Sequence, residues 1–146
     1  MALTNTDLRS LHRIFYVLLA GLAAFAVATA FMITVERDEV LYLLGPRQDL
    51  YALIAYAIVM IAMARFMDKT RVTSANNLRR LGGAGAYAHY RTTVIVRLAL
   101  LVGAAFMVLS LALLTRNLSL YWVLVPVVGA LWLARPGVGE FGFRYL

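Results

Sequence analysis

The chain has 146 residues, of which 63% are hydrophobic and 14% charged, and its formal net charge is +7. This composition leaves too little polar surface for a soluble domain of that size. The sequence holds no cysteine, which excludes disulfides, thiolate catalysis and cysteine-ligated metals. Because the positive charge lies beside apolar stretches, we expect anionic membrane lipids, and no nucleic acid, to be its partners.

Four apolar stretches are each long enough to cross a bilayer, at about residues 14–35, 50–67, 94–114 and 118–134. A helix rises ~1.5 Å per residue, so ~20 apolar residues cross a ~30 Å hydrocarbon core. No other segment is apolar enough to bury a core of its own. The sequence therefore predicts an all-α integral membrane protein: one domain over residues 1–146, with four transmembrane helices in an antiparallel bundle of two hairpins.

The distribution of basic residues predicts the orientation. Ten Lys and Arg residues lie in the N-terminal segment, at 65–91 and in the tail together, whereas three lie in the first and third loops. Positive charge concentrates on the cytoplasmic side of membrane proteins. We therefore expect both termini and the loop at 68–91 to be cytoplasmic, and the protein to reside in the bacterial cytoplasmic (inner) membrane. Phe15 and Trp132 near the inner boundary, and Tyr42 and Trp122 near the outer one, fit aromatic belts.

Small residues repeat along three of the spans and indicate where helices approach closely. Such contacts serve either the bundle itself or a second subunit, and we expect most of them to lie within the bundle. Pro126 is expected to kink the fourth span because it lacks a backbone N–H. The small residues are Ala20, Gly21, Ala24, Ala28, Ala99, Gly103, Ala130 and Ala134.

Arg97 is the only charged residue well inside a span. Intramembrane charges are costly, and each is a candidate functional site. Arg97 would contact a lipid or another anion if it forms a site. Otherwise it snorkels to the cytoplasmic interface or pairs with Asp68, which also has Arg65 three residues before it.

The two histidines, His12 and His89, both precede a span at the inner boundary. Two such side chains at similar depth are potential haem ligands. No third ligand type accompanies them, and solvated or hydrogen-bonded histidines are the alternative. We expect neither a metal nor a cofactor.

The second loop is strongly basic, with Arg71, Arg79, Arg80 and Arg91. These side chains suit either the anionic lipid surface or an acidic partner protein, and lipid contact is the favoured interpretation. The first part of this loop, through Leu81, either extends the second helix or forms a short surface helix, and Gly82–Gly85 then interrupts it. This glycine-rich run lacks the Gly-Lys-Ser/Thr ending of a phosphate-binding loop.

Two Gly/Ala-rich hairpins in one short chain resemble the duplicated proteolipid subunits of rotary ATPase rings. The resemblance depends on Gly21, Gly103 and the alanine ridges, and it implies a four-helix membrane protein. That family carries its ion on a carboxylate at mid-membrane. None of the seven acidic residues of this chain falls there, so ion transport is not implied for any residue.

The favoured function is a small non-enzymatic subunit that packs within, stabilises or helps to assemble a larger membrane complex with other integral membrane subunits. A small oligomeric transporter or channel is the first alternative. A haem- or quinone-associated anchor of a respiratory complex, using the two histidines and Arg97, is the second. An enzyme is least favoured, because no nucleophile–base pair or metal cluster is recognisable.

Overall fold

The structure, a computed structural model, describes residues 5–35, 42–78 and 83–137. Helix α1 covers Asn5–Val35, α2 covers Pro46–Leu78 and α3 covers Gly83–Leu114. A 3-10 turn at Leu118–Leu120 leads into α4, which covers Tyr121–Leu133. All of the regular structure in these described ranges is helical, and the prediction of an all-α fold is confirmed.

Three of the helices are long and apolar enough to cross a membrane, over Arg9–Val35, Arg47–Met67 and Gly85–Leu114. They agree with the first three predicted spans. The fourth apolar segment, Leu118–Leu133, is shorter, even with the three residues of the 3-10 turn included. The chain is therefore a membrane protein by the length and composition of its helices.

Helix α3 forms the centre of the molecule and packs against α1, α2 and α4. In the most apolar 18-residue stretch of α3, 56% is buried, whereas the buried share of the corresponding stretch is 17% in α1 and 17% in α2. Ala104, Ala105 and Ala112 are 0% exposed, so small side chains let the neighbouring helices approach α3 closely. The sequence did not indicate that one helix would be surrounded by the other three.

The contacts fix the relative directions of the helices. Arg97, near the middle of α3, bonds to Ala134, just after α4, and Arg116, just after α3, bonds to Met32, near the end of α1. Helices α1 and α3 therefore run in one direction and α4 in the other. Arg65 of α2 shares a pocket with Arg97, whereas Leu53, earlier in α2, shares one with Leu111, later in α3. Helix α2 is therefore antiparallel to α3. We call the end that holds Arg65, Arg97 and Ala134 the basic end.

The polar segment predicted as a loop at 68–91 is mostly helical. Helix α2 continues to Leu78 and α3 starts at Gly83, so only 79–82 separates their ends. A helix can continue beyond the hydrocarbon core, because its backbone hydrogen bonds form within the helix and do not depend on the surrounding lipid. The predicted break at Gly82–Gly85 coincides with this junction, although α3 already includes its last three residues.

The connection from α3 to α4 is a tight turn. The amide of Asn117 donates to Ala112 O (3.1 Å) and that of Arg116 to Leu113 O (3.3 Å), the pattern of a Schellman cap. Arg116 has φ 50°, the left-handed conformation that this cap requires. The Asn117 side chain then accepts from Ser119 N and starts the 3-10 turn. Beyond it, α4 stays helical through Pro126.

Most of the predicted small-residue contacts do not lie within the bundle. Ala20, Gly21, Ala24 and Ala28 of α1, and Ala99 and Gly103 of α3, are exposed, Ala130 is half-buried, and only Ala134 is buried. A Cβ added at Gly21 or Gly103 would meet nothing within 4 Å. A four-residue spacing identifies a smooth stripe on a helix, but it does not show which neighbour covers that stripe. The expectation of packing inside the bundle is corrected accordingly.

Candidate functional site

Arg97 lies inside the bundle and not at its surface, with 8% of the side chain exposed. Its Nη2 donates to the carbonyl of Ala134 at 2.7 Å. Ala134 follows the last residue of α4, and the carbonyls at a helix C-terminus carry partial negative charge and lack intrahelical donors. Arg97 therefore caps α4 and does not snorkel. The side chain of Asp68, the other predicted partner, is outside the described residues.

Arg97 also lines a pocket of about 160 Å³ at the basic end. The second charged residue of this pocket is Arg65, an exposed side chain of α2. We call it the arginine pocket. The remainder of the lining is aliphatic and comes from α2, α3 and the end of α4: Ile61, Ala64, Leu101, Ala130, Leu133 and Ala134.

Sequence reasoning missed Arg65 as a site residue, although a signal existed. Arg65 lies two residues before the end of the second predicted span, and Arg97 lies three residues after the start of the third. In antiparallel helices these positions have nearly the same depth. Aligning the end of the second predicted span with the start of the third would therefore have predicted two guanidinium groups at the same depth in the membrane.

A second contact fixes the chain after α4 to α3. The hydroxyl of Tyr90 donates to Gly137 O at 3.4 Å and accepts from Gly137 N at 3.3 Å. Tyr90 is 0% exposed and Phe15 is 1% exposed, so both belong to the core at the basic end, and Phe15 is not part of the lipid-facing aromatic belt in which it was predicted. Together with Arg97, Tyr90 places the end of α4 in a defined position beside α3.

Aromatic and basic side chains meet at the same end. Phe15 stacks edge-on against Tyr16, with ring centroids 5.4 Å apart, and at a tilt against Trp132 at 6.3 Å. The Arg135 guanidinium lies 5.6 Å from the Tyr16 ring and 6.0 Å from that of Trp132. Tyr16, Trp132 and Arg135 are exposed. A rim of aromatic rings and a cation is typical of a membrane–water interface.

Most of the predicted basic loop cluster lies outside the described residues. Arg91 is described and is exposed on α3. Arg71 belongs to α2, but its side chain, together with all of Arg79 and Arg80, is outside the described residues. Contact of these arginines with lipid or a partner stays a prediction.

The two histidines are half-buried near the starts of α1 and α3. The carbonyl of His89 accepts a bond from the Thr93 hydroxyl at 2.8 Å. Among the described residues, no group of three or more His, Cys, Asp or Glu side chains is placed to hold a metal ion. Haem ligation by His12 and His89 stays a prediction.

The opposite end of the bundle contains a buried carboxylate, one residue before the second predicted span. Asp49 is only 3% exposed. Its two oxygens accept the amides of Leu43 (3.0 Å) and Leu44 (2.9 Å), and its own amide donates to Gly45 O. Asp49 therefore ties the preceding loop onto the first turn of α2, where negative charge is favourable.

No protein-family model matches the chain, and neither curated proteins nor solved structures gave a match. Functional inference therefore depends on the sequence and on the geometry described above.

Proposed function

We propose that the chain is a small, non-enzymatic subunit of the bacterial cytoplasmic membrane that packs against other integral membrane proteins and stabilises their complex. The observation that carries the proposal is the position of the α1 ridge, which consists of Ala20, Ala24 and Ala28. These residues are exposed, and they lie across α1 from the buried side chains Phe15 and Leu22. In lipid, a smooth ridge favours close approach of a second helix.

The buried polar groups of α3 support packing over transport. Thr93 donates to His89 O and Thr115 to Leu111 O, both at 2.8 Å. Such bonds to the preceding turn satisfy a hydroxyl within its own helix. The part of the core built from these threonines and from alanines is thus suited to holding helices together.

We further propose that α4 crosses the membrane, giving four spans with both termini cytoplasmic. Leu118–Leu133 has 16 residues, or ~24 Å of helix, somewhat less than the ~30 Å core. Trp122 is 79% exposed near one end and Trp132 53% exposed near the other. Interfacial tryptophans at both ends support a crossing, and mild local thinning of the bilayer accommodates a short span.

Single-cysteine labelling tests this topology, because the chain has no cysteine of its own. An impermeant maleimide applied to intact cells should label Ser119→Cys. Gly137→Cys and Lys69→Cys should react only after the membrane is permeabilised. Labelling of Gly137→Cys in intact cells would show that α4 does not cross.

The packing proposal is tested by purifying the tagged chain from its native membrane in mild detergent and identifying accompanying proteins by mass spectrometry. Ala24→Leu places a bulky side chain on the α1 ridge. Ala23→Leu makes the same change at the preceding residue, which is also exposed but does not belong to the ridge. We expect membrane proteins to co-purify with wild type and Ala23→Leu and to be depleted with Ala24→Leu. Recovery of wild type without any partner, or equal partner recovery with both variants, would contradict the proposal.

A further inference from the structure

We propose that the arginine pocket binds the phosphate of an anionic phospholipid, one acyl chain of which lies in the groove between α2 and α4. The first observation is the pairing of Arg65 and Arg97 in one pocket of about 160 Å³ whose other lining residues are aliphatic. Two like charges repel strongly where apolar walls lower the dielectric. An anion between them turns this repulsion into attraction.

The chemistry of the two side chains selects phosphate. Guanidinium groups present several N–H donors in a planar fork, which matches the oxygens of a phosphodiester. Arg97 is already oriented by its bond to Ala134 O, so little side-chain entropy is lost when it binds an anion. Arg65, which is exposed, supplies a second fork from the lipid-facing side.

The second observation is the groove that continues from this pocket. It is a cavity of about 500 Å³ between α2 and α4, and Ile61 lines both it and the arginine pocket. Its walls include Leu50, Ile54, Ile58, Trp122 and Pro126. The groove is therefore the apolar continuation of a cationic pocket, as a phospholipid requires.

The dimensions fit one acyl chain. From Ile61 to Leu50, both groove residues, α2 rises ~17 Å. One leaflet occupies about half of the ~30 Å hydrocarbon core, or ~15 Å. A chain that starts at the arginine pocket therefore stays within the groove over the whole depth of its leaflet. A free phosphate ion would leave this groove unused, and the proposal accordingly commits to a lipid.

The test uses the full chain purified in a neutral detergent and native mass spectrometry with added lipid. Phosphatidylglycerol should bind at one saturable site, about tenfold or more tightly than zwitterionic phosphatidylcholine. Arg65→Gln and Arg97→Gln should each weaken that binding about tenfold, the loss expected for one charge-assisted contact. Arg13→Gln, which removes an exposed arginine of α1 outside the pocket, is the matched control and should leave binding unchanged.

Arg65→Gln keeps the test decisive if Arg97→Gln fails to fold, since Arg65 is exposed. Acyl-chain placement has its own readout: with both native tryptophans replaced by Phe, Ile58→Trp puts the single tryptophan in the groove, ~10 Å along α2 from Arg65. One equivalent of brominated phosphatidylglycerol should quench it, but not when Arg65→Gln is added. Equal loss of binding in Arg13→Gln would indicate general surface attraction and overturn the proposal. Displacement of the lipid by millimolar inorganic phosphate, or an unquenched tryptophan at position 58, would also overturn it.

Discussion

Removing the Asp49 carboxylate should destabilise the protein more than any exposed substitution. Asp49→Ala leaves the amides of Leu43 and Leu44 without their acceptors, at 3.0 and 2.9 Å in the structure. A hydrogen bond to a charged group contributes ~1.5–3 kcal/mol, which gives ~3–6 kcal/mol for two. Leu43 and Leu44 are themselves 63% and 67% exposed, so water partly replaces the lost acceptor, and we expect a loss of about 2–4 kcal/mol.

Asp49→Asn separates the two bonds. The amide keeps one carbonyl acceptor but turns an N–H towards the second backbone donor, so its loss should be about half as large, ~1–2 kcal/mol. Unfolding by SDS titration in mixed micelles, followed by circular dichroism, measures both changes. Gln48→Ala, at the exposed neighbouring position, should stay within about 0.5 kcal/mol of wild type. The reasoning fails if Asp49→Ala unfolds at the wild-type SDS fraction.

Three further substitutions are measured in the same titration. Tyr121→Phe removes the hydroxyl that donates to an α1 carbonyl at 2.8 Å and should cost ~1 kcal/mol, whereas Tyr51→Phe, at a 67% exposed ring, should be neutral. Arg116→Ala loses the bond to Met32 O and keeps the φ of 50°. Because glycine adopts this φ without strain, Arg116→Gly should be ~1 kcal/mol more stable than Arg116→Ala. Equal stabilities would contradict the strain argument. Gly103→Ala meets nothing within 4 Å and should stabilise the chain by ~0.5–1 kcal/mol; destabilisation would contradict the open geometry.

Hydropathy predicted the helices well, because the length of each apolar stretch can be read directly from the sequence. The first three spans coincide with helices long and apolar enough to cross a membrane. Helix ends were predicted less well, since α2 continues through Lys69 and Thr70 to Leu78. Polar residues after a span mark where lipid ends, and a helix ends only where its backbone bonds end. A loop predicted from polarity alone is therefore too long.

Which face of each helix is buried was not predictable from small-residue spacing. Ala99 and Gly103 satisfy the four-residue rule but are exposed, whereas Ala104 and Ala105, one helical step away, are 0% exposed. Both stripes are equally smooth in the sequence. Only the position of α3 among three neighbours decides between them, and that position depends on contacts between residues far apart in the chain.

Arg97 shows what a charge pattern can predict and what it cannot. Its isolation within an apolar span made it a candidate site, with snorkelling or pairing with Asp68 as the alternative, and the residue is buried. Its observed partner is the backbone carbonyl of Ala134, a group that every residue carries and that no composition pattern distinguishes. The bond forms because α4 ends at the depth of Arg97, so the length of α4 and the position of Arg97 are coupled. One additional residue in α4 would rotate that carbonyl by ~100° and raise it by ~1.5 Å, which would break the cap and move Leu133 out of the arginine pocket.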